Sequence, residues 1–242
     1  MGKLNVKDKD IVVPGEELAD GMDILPAAGT YRDGDKIIAS QVGVVSTNGR
    51  LIKLIPLGGR YIPKAGDTVI GKVVNMSFSS WFINVGYAYD GVLSLKDASS
   101  EYIDRGADLT RFYNFGDYMT CKITQVTRAM NIDLTMKGPG LRKLTGGKII
   151  KITPSKVPRV IGKQGSMINL IKDKTGCRIS IGQNGLVWIQ GDDPAMEKLA
   201  TEAVKEIEKK SHIPGLTDKI TKFLSKEAKT TTIPKETKEI KK

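Results

Sequence analysis

Val160-Ile161-Gly162-Lys163-Gln164-Gly165-Ser166-Met167-Ile168 is the stretch that decides the fold of the second half of this chain. Two glycines three positions apart follow an apolar pair, and an amphipathic segment begins directly after them. Glycine has no Cβ, so a turn with this spacing can be tight and can approach another backbone closely. The lysine between the glycines stands where a phosphate would lie. The stretch therefore predicts a turn that holds the backbone of a nucleic acid.

The elements predicted around this turn follow the order β-α-α-β-β-α. Helix 166–174 buries apolar residues and stops at Gly176, and a final helix begins at the N-cap pair Asp193-Pro194. The remaining predicted elements are strands 148–152, 178–181 and 186–190 and a short helix 156–161. This order with a Gly-x-x-Gly turn is typical of a type I KH domain, whose loop clamps about four nucleotides of single-stranded RNA. We predict such a domain over residues 147–210.

Positive charge is concentrated around the same turn. The chain has 242 residues and a formal net charge of +11, but residues 1–63 and 64–137 each carry as many acids as bases. Residues 147–191 carry eight Lys and Arg against one Asp, a net charge of +7. Local positive charge is what phosphate binding requires. The alternative is a basic face that only keeps the protein soluble.

Residues 64–137 are predicted to form a five-stranded OB-type barrel. The strands are 68–76, 80–85, 91–95, 118–126 and 131–136, and apolar residues alternate with polar ones in the last two. Alternation with one apolar face is typical of a small barrel filled by side chains. The polar insertion at about 97–116 fits the long connection of such a barrel. A linker is expected at Lys137-Gly138-Pro139-Gly140.

Residues 1–63 are predicted to form an N-terminal β domain that docks onto a partner. Its short β-branched runs are separated by turn signals such as Asn48-Gly49, and it carries no net charge, so it is a poor phosphate binder. An edge strand can pair with another chain, and proline is tolerated at an edge. The candidate docking residues are Val12, Val13, Pro14 and Gly15. Alternatively, these strands only complete a local barrel.

The complete fold prediction is a multidomain chain, mainly β and then α+β. The N-terminal domain (1–63), the barrel (64–137) and the KH domain (147–210) are followed by an extension (211–242). Residues 211–224 either pack back on the core or join a partner. From residue 225 this extension is lysine-rich and almost free of apolar residues, so we predict a disordered tail.

The barrel adds a weaker set of candidate RNA-binding residues. If Trp81 and Ile83 face the core, Phe82 is exposed on its strand and offers a base a stacking platform. A neighbouring domain could instead cover Phe82. Arg105 and Arg111, in the long connection, face the same path or are ordinary surface charges. Together with the KH region, the candidate RNA-binding residues are Lys156, Arg159, Gly162, Lys163, Gln164, Gly165, Phe82, Arg105 and Arg111.

The sequence offers no catalytic, metal or cofactor constellation. The single histidine, His212, has no Cys or His partner at a metal spacing, and the turn at 162–165 is not followed by the Lys-Ser/Thr of a nucleotide-binding loop. Cys121 and Cys177 are far apart and fit a reducing cytoplasm. No apolar run approaches the ~20 residues of a membrane span. We therefore expect a cytoplasmic, non-enzymatic protein without a cofactor or a membrane partner.

The chain resembles the RNA-binding cap subunit of the archaeal exosome over about residues 10–224. The resemblance rests on the opening Val12-Val13-Pro14-Gly15-Glu16 and on the order of N-terminal β domain, barrel of the ribosomal-protein-S-one type and KH domain. Within the barrel, the matching segments are 80–85, 90–93 and 116–118. Many such barrels carry a histidine where this chain has Ser94.

This resemblance implies a non-catalytic role in RNA degradation and processing. Such subunits, three copies or a mixture with a related cap protein, sit on a hexameric ring of RNase PH-like, phosphorolytic subunits. They recruit single-stranded RNA and guide its 3′ end into the ring, with a preference for adenine-rich tails. Two alternatives remain: a transcription elongation or termination factor with OB and KH domains, and a stand-alone ribonuclease.

Overall fold

The computed structural model of the protein describes residues 2–99, 108–211 and 215–231. The chain divides into two compact units, Met1–Arg60 and Tyr61–Lys242. The division lies three residues before the predicted boundary, because Tyr61 belongs to the second unit. Its side chain is buried in the barrel core, and its hydroxyl donates to the Asp67 carboxylate at 2.7 Å. The pKa of Tyr61 is raised well above its usual value by burial and by this carboxylate.

The first unit consists of two four-stranded sheets around a small apolar core. The strands are β1 Lys3–Leu4, β2 Ile11–Val12, β3 Glu17–Asp20, β4 Leu25–Pro26, β5 Thr30–Asp33, β6 Lys36–Ala39, β7 Gly43–Asn48 and β8 Leu51–Pro56. One sheet has the order β1-β3-β6-β5 and the other β2-β7-β8-β4. Hairpin β7–β8 turns at Gly49, as the Asn48-Gly49 signal predicts.

The second unit begins with the closed five-stranded barrel, which confirms the prediction. Its strands are β9 Thr68–Met76, β10 Ser80–Asn84, β11 Gly91–Ser94, β12 Tyr118–Val126 and β13 Ile132–Thr135. The barrel closes because β12 pairs with both β9 and β13, while β11 and β13 pair in parallel. A short helix α1, Leu95–Ala98, follows β11. Alternate residues fill the interior, including Trp81, Ile83 and Met119, none of which is exposed.

A strand that the sequence did not predict connects the barrel to the KH domain. Strand β14, Arg142–Leu144, follows the predicted linker glycines and pairs antiparallel with the start of β12. Its Leu144 packs with Ile70 of the barrel and Trp188 of the KH domain. Three residues are too few for a periodic signal, so only tertiary pairing defines this strand.

The KH domain has the predicted order β-α-α-β-β-α and carries one helix more. Its elements are β15 Lys148–Lys151, α2 Val157–Ile161, α3 Ser166–Thr175, β16 Arg178–Ile181, β17 Leu186–Gln190 and α4 Pro194–Lys209. Helix α5, Leu216–Thr231, buries Leu216, Ile220 and Leu224 in the same core. The predicted disordered tail began at residue 225, whereas α5 continues to Thr231; residues 232–242 lie outside the described residues.

Candidate nucleic-acid interface

The Gly-x-x-Gly loop joins α2 to α3, and three of its four residues have backbone conformations that side chains disfavour. Gly162 has φ 76° and ψ 175°, a region essentially restricted to glycine. Gln164 (φ 51°) and Gly165 (φ 78°) are both left-handed. Lys163 and Gln164 are exposed at the tip. The loop therefore presents its two polar side chains to solvent from a tightly specified backbone.

The two glycines are required for different reasons. A Cβ at position 162 would lie 2.8 Å from both the backbone nitrogen and the Cβ of Met167, in the first turn of α3. Met167 is buried in the KH core and has no room to move away. At position 165 the nearest atom would be 3.6 Å away, so only the positive φ favours glycine there. The first glycine thus allows close packing, and the second allows the turn.

The helices on either side hold this loop rigidly. Helix α2 buries Val157 and Val160, and α3 buries Met167, Ile168 and Ile171 in one core. The N-cap residue of α3 is Gly165, which provides no side-chain cap, and the Ser166 N–H donates to the Lys163 carbonyl. The positive end of the dipole of α3, beside Lys163, favours an anion. The arrangement is suited to a phosphate of a nucleic-acid backbone.

The other predicted KH residues lie on or beside α2. Arg159 is exposed on this helix, one turn before the loop. Lys156, at the start of the helix, is half-buried, and its ammonium donates to the Ser211 hydroxyl at 2.7 Å. Thr153 is held nearby, since its N–H and hydroxyl both donate to Glu208 at 2.7 Å. Lys156 is thus oriented by Ser211, just after α4, and the side chains of Arg159 and Lys163 are exposed.

Phe82 lies on the outer face of the barrel, as the alternation predicts. Its neighbours Trp81 and Ile83 are fully buried, and the Trp81 indole donates to the Tyr113 carbonyl at 3.1 Å. Phe82 itself is half-exposed, between Asn75 of β9 and Val92 of β11. Its ring is accessible in part, so its role in stacking stays a prediction.

The structure describes only one of the two predicted arginines of the long barrel connection. Arg111 ends a single 3₁₀ turn, its side chain is 82% exposed, and it lies 3.8 Å from the Asp108 carboxylate. Exposed pairs of this kind contribute little stability. Arg105 lies outside the described residues, as does His212. No hydrogen bond or ion pair within the described ranges links Phe82 or Arg111 to the Gly-x-x-Gly loop.

The predicted docking residues of the first unit differ in exposure. Strand β2 is an edge strand, as predicted, but the Val12 side chain is fully buried in the core of this unit. Val12 is thus unavailable for side-chain contact with a partner, because alternation directs it inward. Val13 is 56% exposed, and Pro14 and Gly15 are exposed. The carboxylate of Glu16 accepts from the Val13 N–H at 3.0 Å.

An apolar strip that the sequence did not predict crosses the same sheet. Ile11 of β2 pairs with Val44 of β7, which pairs with Ile55 of β8. Ile11 and Ile55 are 68% and 54% exposed, and Val44 is half-exposed. Residues paired across neighbouring strands lie side by side on one face. These three residues, called the apolar strip below, form a continuous surface of the kind that proteins use for association.

A second Gly-x-x-Gly segment, Gly182-Gln183-Asn184-Gly185, fixes the KH domain to the barrel. It is the turn between β16 and β17, and Asn184 is only 4% exposed. The Asn184 amide donates to the carbonyls of Ile70 (2.7 Å) and Val85 (2.9 Å), and its oxygen accepts from the Ile70 N–H at 3.3 Å. The Gln183 N–H also donates to the Thr68 carbonyl at 2.8 Å. The sequence predicts only the strands on either side of this segment, although its glycine spacing repeats that of the loop.

Comparisons with known proteins agree with this architecture. Residues 147–207 match the KH domain family. The exosome complex component Rrp4 of Pyrococcus abyssi is 46% identical over 93% of this chain and 85% of its own length. The same component of Methanothermus fervidus is 44% identical over 91% of this chain and 97% of its own length. The crystal structure of a protein assigned as an exosome complex RNA-binding protein matches with a TM-score of 0.64 and 33% identity, covering 71% of this chain and 99% of that one.

The fold and the exposed basic loop define an RNA-binding protein of the OB and KH class. The extent of similarity is more specific, and the chain belongs to the family of the exosome complex component Rrp4. In the described part of the chain, no group of three His, Cys, Asp or Glu residues is arranged to hold a metal. Among the same residues, no helix is both long and apolar enough to cross a membrane.

Proposed function

We propose that this protein is a non-catalytic subunit that binds single-stranded RNA and guides its 3′ end into a phosphorolytic ring of RNase PH-like subunits. The observation that carries the proposal is the rigid loop at 162–165, with exposed Lys163 beside the uncapped start of α3. A loop of this form holds phosphates without cleaving them, because it provides charge and N–H groups and no general base. The names of the relatives supply the association with an exosome.

The experiment is an RNA-binding and degradation assay on the purified full chain. Labelled single-stranded RNA is incubated with the protein, with and without Mg²⁺ and phosphate, and both binding and length are measured. We expect bound RNA of unchanged length under every condition. RNA shortening that a single substitution in this chain abolishes would contradict the non-catalytic role, and absence of binding would contradict the RNA-binding role.

The first unit serves as the docking part of this subunit. Its apolar strip supports this assignment, because burying each exposed isoleucine against a partner contributes about 1–2 kcal/mol. The strip also continues to the exposed Val13 at the end of edge strand β2. The partner is the ring, and the cap holds three copies of this chain, alone or mixed with a related cap protein. In the cell, the complex acts in the cytoplasm.

Docking is tested by co-elution of the full chain with the ring subunits of the same organism. Ile11→Asp combined with Ile55→Asp should abolish co-elution, because it places two charges in the apolar strip that docking would bury. Tyr31→Asp is the matched control, since Tyr31 is 47% exposed on β5 in the other sheet of the same unit. Co-elution of the folded double variant would show that the ring is held elsewhere.

Adenine-rich single strands are the proposed preferred substrates. Competition between adenine-rich and mixed-sequence RNA of equal length for the full chain tests this preference, and equal affinities would exclude it. The transcription-factor alternative gains no support from the relatives, which are named as exosome components. Purification of the native complex distinguishes the exosome subunit from the transcription factor: the first should co-purify with phosphorolytic subunits and the second with RNA polymerase.

A further inference from the structure

The barrel loop between β10 and β11 presents two tyrosines in a defined arrangement. The Asn84 side chain accepts from the Gly86 N–H at 2.8 Å, and Gly86 has φ 79°, so the start of the loop is a fixed turn. The half-buried Tyr87 packs against the barrel core. Tyr89 is 55% exposed, and the centroid of its ring lies 6.2 Å from that of Tyr87. Tyr89 is therefore an exposed ring that lies next to a second, half-buried ring.

This loop begins at the point where the KH domain is fixed to the barrel. The Asn184 amide donates to the Val85 carbonyl, and Val85 directly precedes Gly86. On the KH side, edge strand β16 ends at Ile181, immediately before the turn that contains Asn184. The open edge of β16 thus ends beside the start of the tyrosine loop.

A basic residue lies at the same end of the barrel. Because β11 and β13 pair in parallel with Gly91 opposite Ile132, the loops before these two strands are neighbours. The second loop carries the exposed Arg128, which forms no ion pair with another described residue. Asp90 in the tyrosine loop carries the opposite charge, so net charge contributes little at this position. With net charge set aside, the exposed ring of Tyr89 is the feature at this end of the barrel that could bind a base.

We propose that Tyr89, supported by Tyr87, is a stacking subsite for one base of a single-stranded RNA that passes from the KH domain to the barrel. This inference rests on the proposed function and specifies a second contact for the same RNA. Stacking on an aromatic ring tolerates any base, because every base has a π-face. The subsite therefore extends the bound length without adding sequence preference.

The length of the RNA provides the test, because the KH loop clamps only about four nucleotides. Affinities of the full chain are measured for an RNA of about five nucleotides and one of about twelve, with the short RNA measured by competition. Tyr89→Ala should weaken binding of the longer RNA by roughly 5- to 100-fold and leave the shorter one unchanged. Tyr89→Phe should retain full affinity, since the ring remains.

Tyr31→Ala is the matched control, because it removes a tyrosine of similar exposure from the first unit. It should change neither affinity. If Tyr89→Ala binds the longer RNA as wild type does, the subsite is wrong, while the proposed function stands if Lys163→Asp combined with Gln164→Asp weakens binding at least 10-fold. An equal loss for both lengths would also overturn the subsite. If the loop variant binds as wild type does, it is the proposed function that fails.

Discussion

The KH domain contains the spacing Gly-x-x-Gly twice, and the two segments have opposite environments. Gly162-Lys163-Gln164-Gly165 presents both middle side chains to solvent next to the start of α3. Gly182-Gln183-Asn184-Gly185 buries its Asn184 against the backbone of β9 and β10. Both turns bring a backbone close to a partner: a Cβ at Gly162 would meet Met167, and a Cβ at Gly182 would lie 2.6 Å from the Ile70 nitrogen.

The difference shows that the glycine spacing lets the backbone of the turn come close to another group, whereas the two middle residues decide which group this is. A lysine at an exposed tip suits phosphate, because its ammonium stays hydrated until a ligand arrives. A buried asparagine suits a barrel edge, because its amide pairs with both a carbonyl and an N–H. The middle residues of the first turn are thus predicted to carry RNA affinity and Asn184 of the second to carry stability, so substituting these side chains should affect only one of the two properties.

The largest effects are expected on stability, and the first of them is that of Asn184→Ala. The change leaves the carbonyls of Ile70 and Val85 and the Ile70 N–H without their partner in a buried position, so the free energy of unfolding should fall by about 2–4 kcal/mol. Urea unfolding measures it. Gln183→Ala is the matched control, because Gln183 bonds to Thr68 through its backbone. Equal stability of the two variants would contradict the role of Asn184.

Substituting alanine for each of the two glycines of the exposed loop should lower the free energy of unfolding by different amounts. Gly162→Ala combines a backbone region that only glycine favours with a clash against the buried Met167, so we expect a loss of about 2–4 kcal/mol. Gly165→Ala adds only left-handed strain, about 1 kcal/mol. Thermal unfolding of the two variants measures this order. A reversed order would show that Met167 gives way.

The two cysteines report whether the barrel and the KH domain open together. Burial raises the pKa of the Cys121 thiol to about 12 and raises that of Cys177, so little thiolate is present in either at pH 8. We expect both thiols to be labelled slowly and at similar rates in the wild type. In Asn184→Ala, Cys177 of the KH domain should be labelled several-fold faster than Cys121. Unchanged relative rates would show that Asn184 does not couple the two domains.

The smallest effect is expected from Lys163→Gln. Losing one phosphate contact should reduce the slope of log affinity against log salt concentration by about 0.7. Lys53→Gln, in the first unit, is the control and should leave the slope unchanged, since Lys53 lies on the sheet that we assign to docking. A salt slope identical in Lys163→Gln and wild type would mean that this ammonium makes no phosphate contact.

Most elements of the fold could be predicted, because their signals are local. Strands β9, β12, β16 and β17 have the predicted bounds, since alternation and flanking turn residues define them. Strand β14 was missed because it consists of three residues whose only signal is pairing with β12. Helix α5 was not predicted because Leu216, Ile220 and Leu224 lie in residues 211–224, whose sequence left open whether they pack on the core or join a partner.

The candidate sites show the same limit. The loop at 162–165 could be predicted from the sequence because its two glycines and its lysine lie within four consecutive residues. The turn at 182–185 has the same glycine spacing, which a comparison of the two segments would have revealed. Its contact with the barrel could not be predicted, because the bonded barrel residues are more than 95 positions away in sequence. The apolar strip joins Ile11, Val44 and Ile55 through sheet register, which the sequence alone does not specify.

The most direct test of the account is the affinity of Lys163→Asp combined with Gln164→Asp for single-stranded RNA. Asn48→Asp combined with Lys53→Asp is the control, because it changes the charge equally at exposed positions of the first unit. The loop variant should unfold as wild type does and bind RNA at least 10-fold more weakly, because acidic side chains repel phosphates; the control should bind normally. Wild-type affinity in the folded loop variant would contradict the claim that this loop holds the RNA.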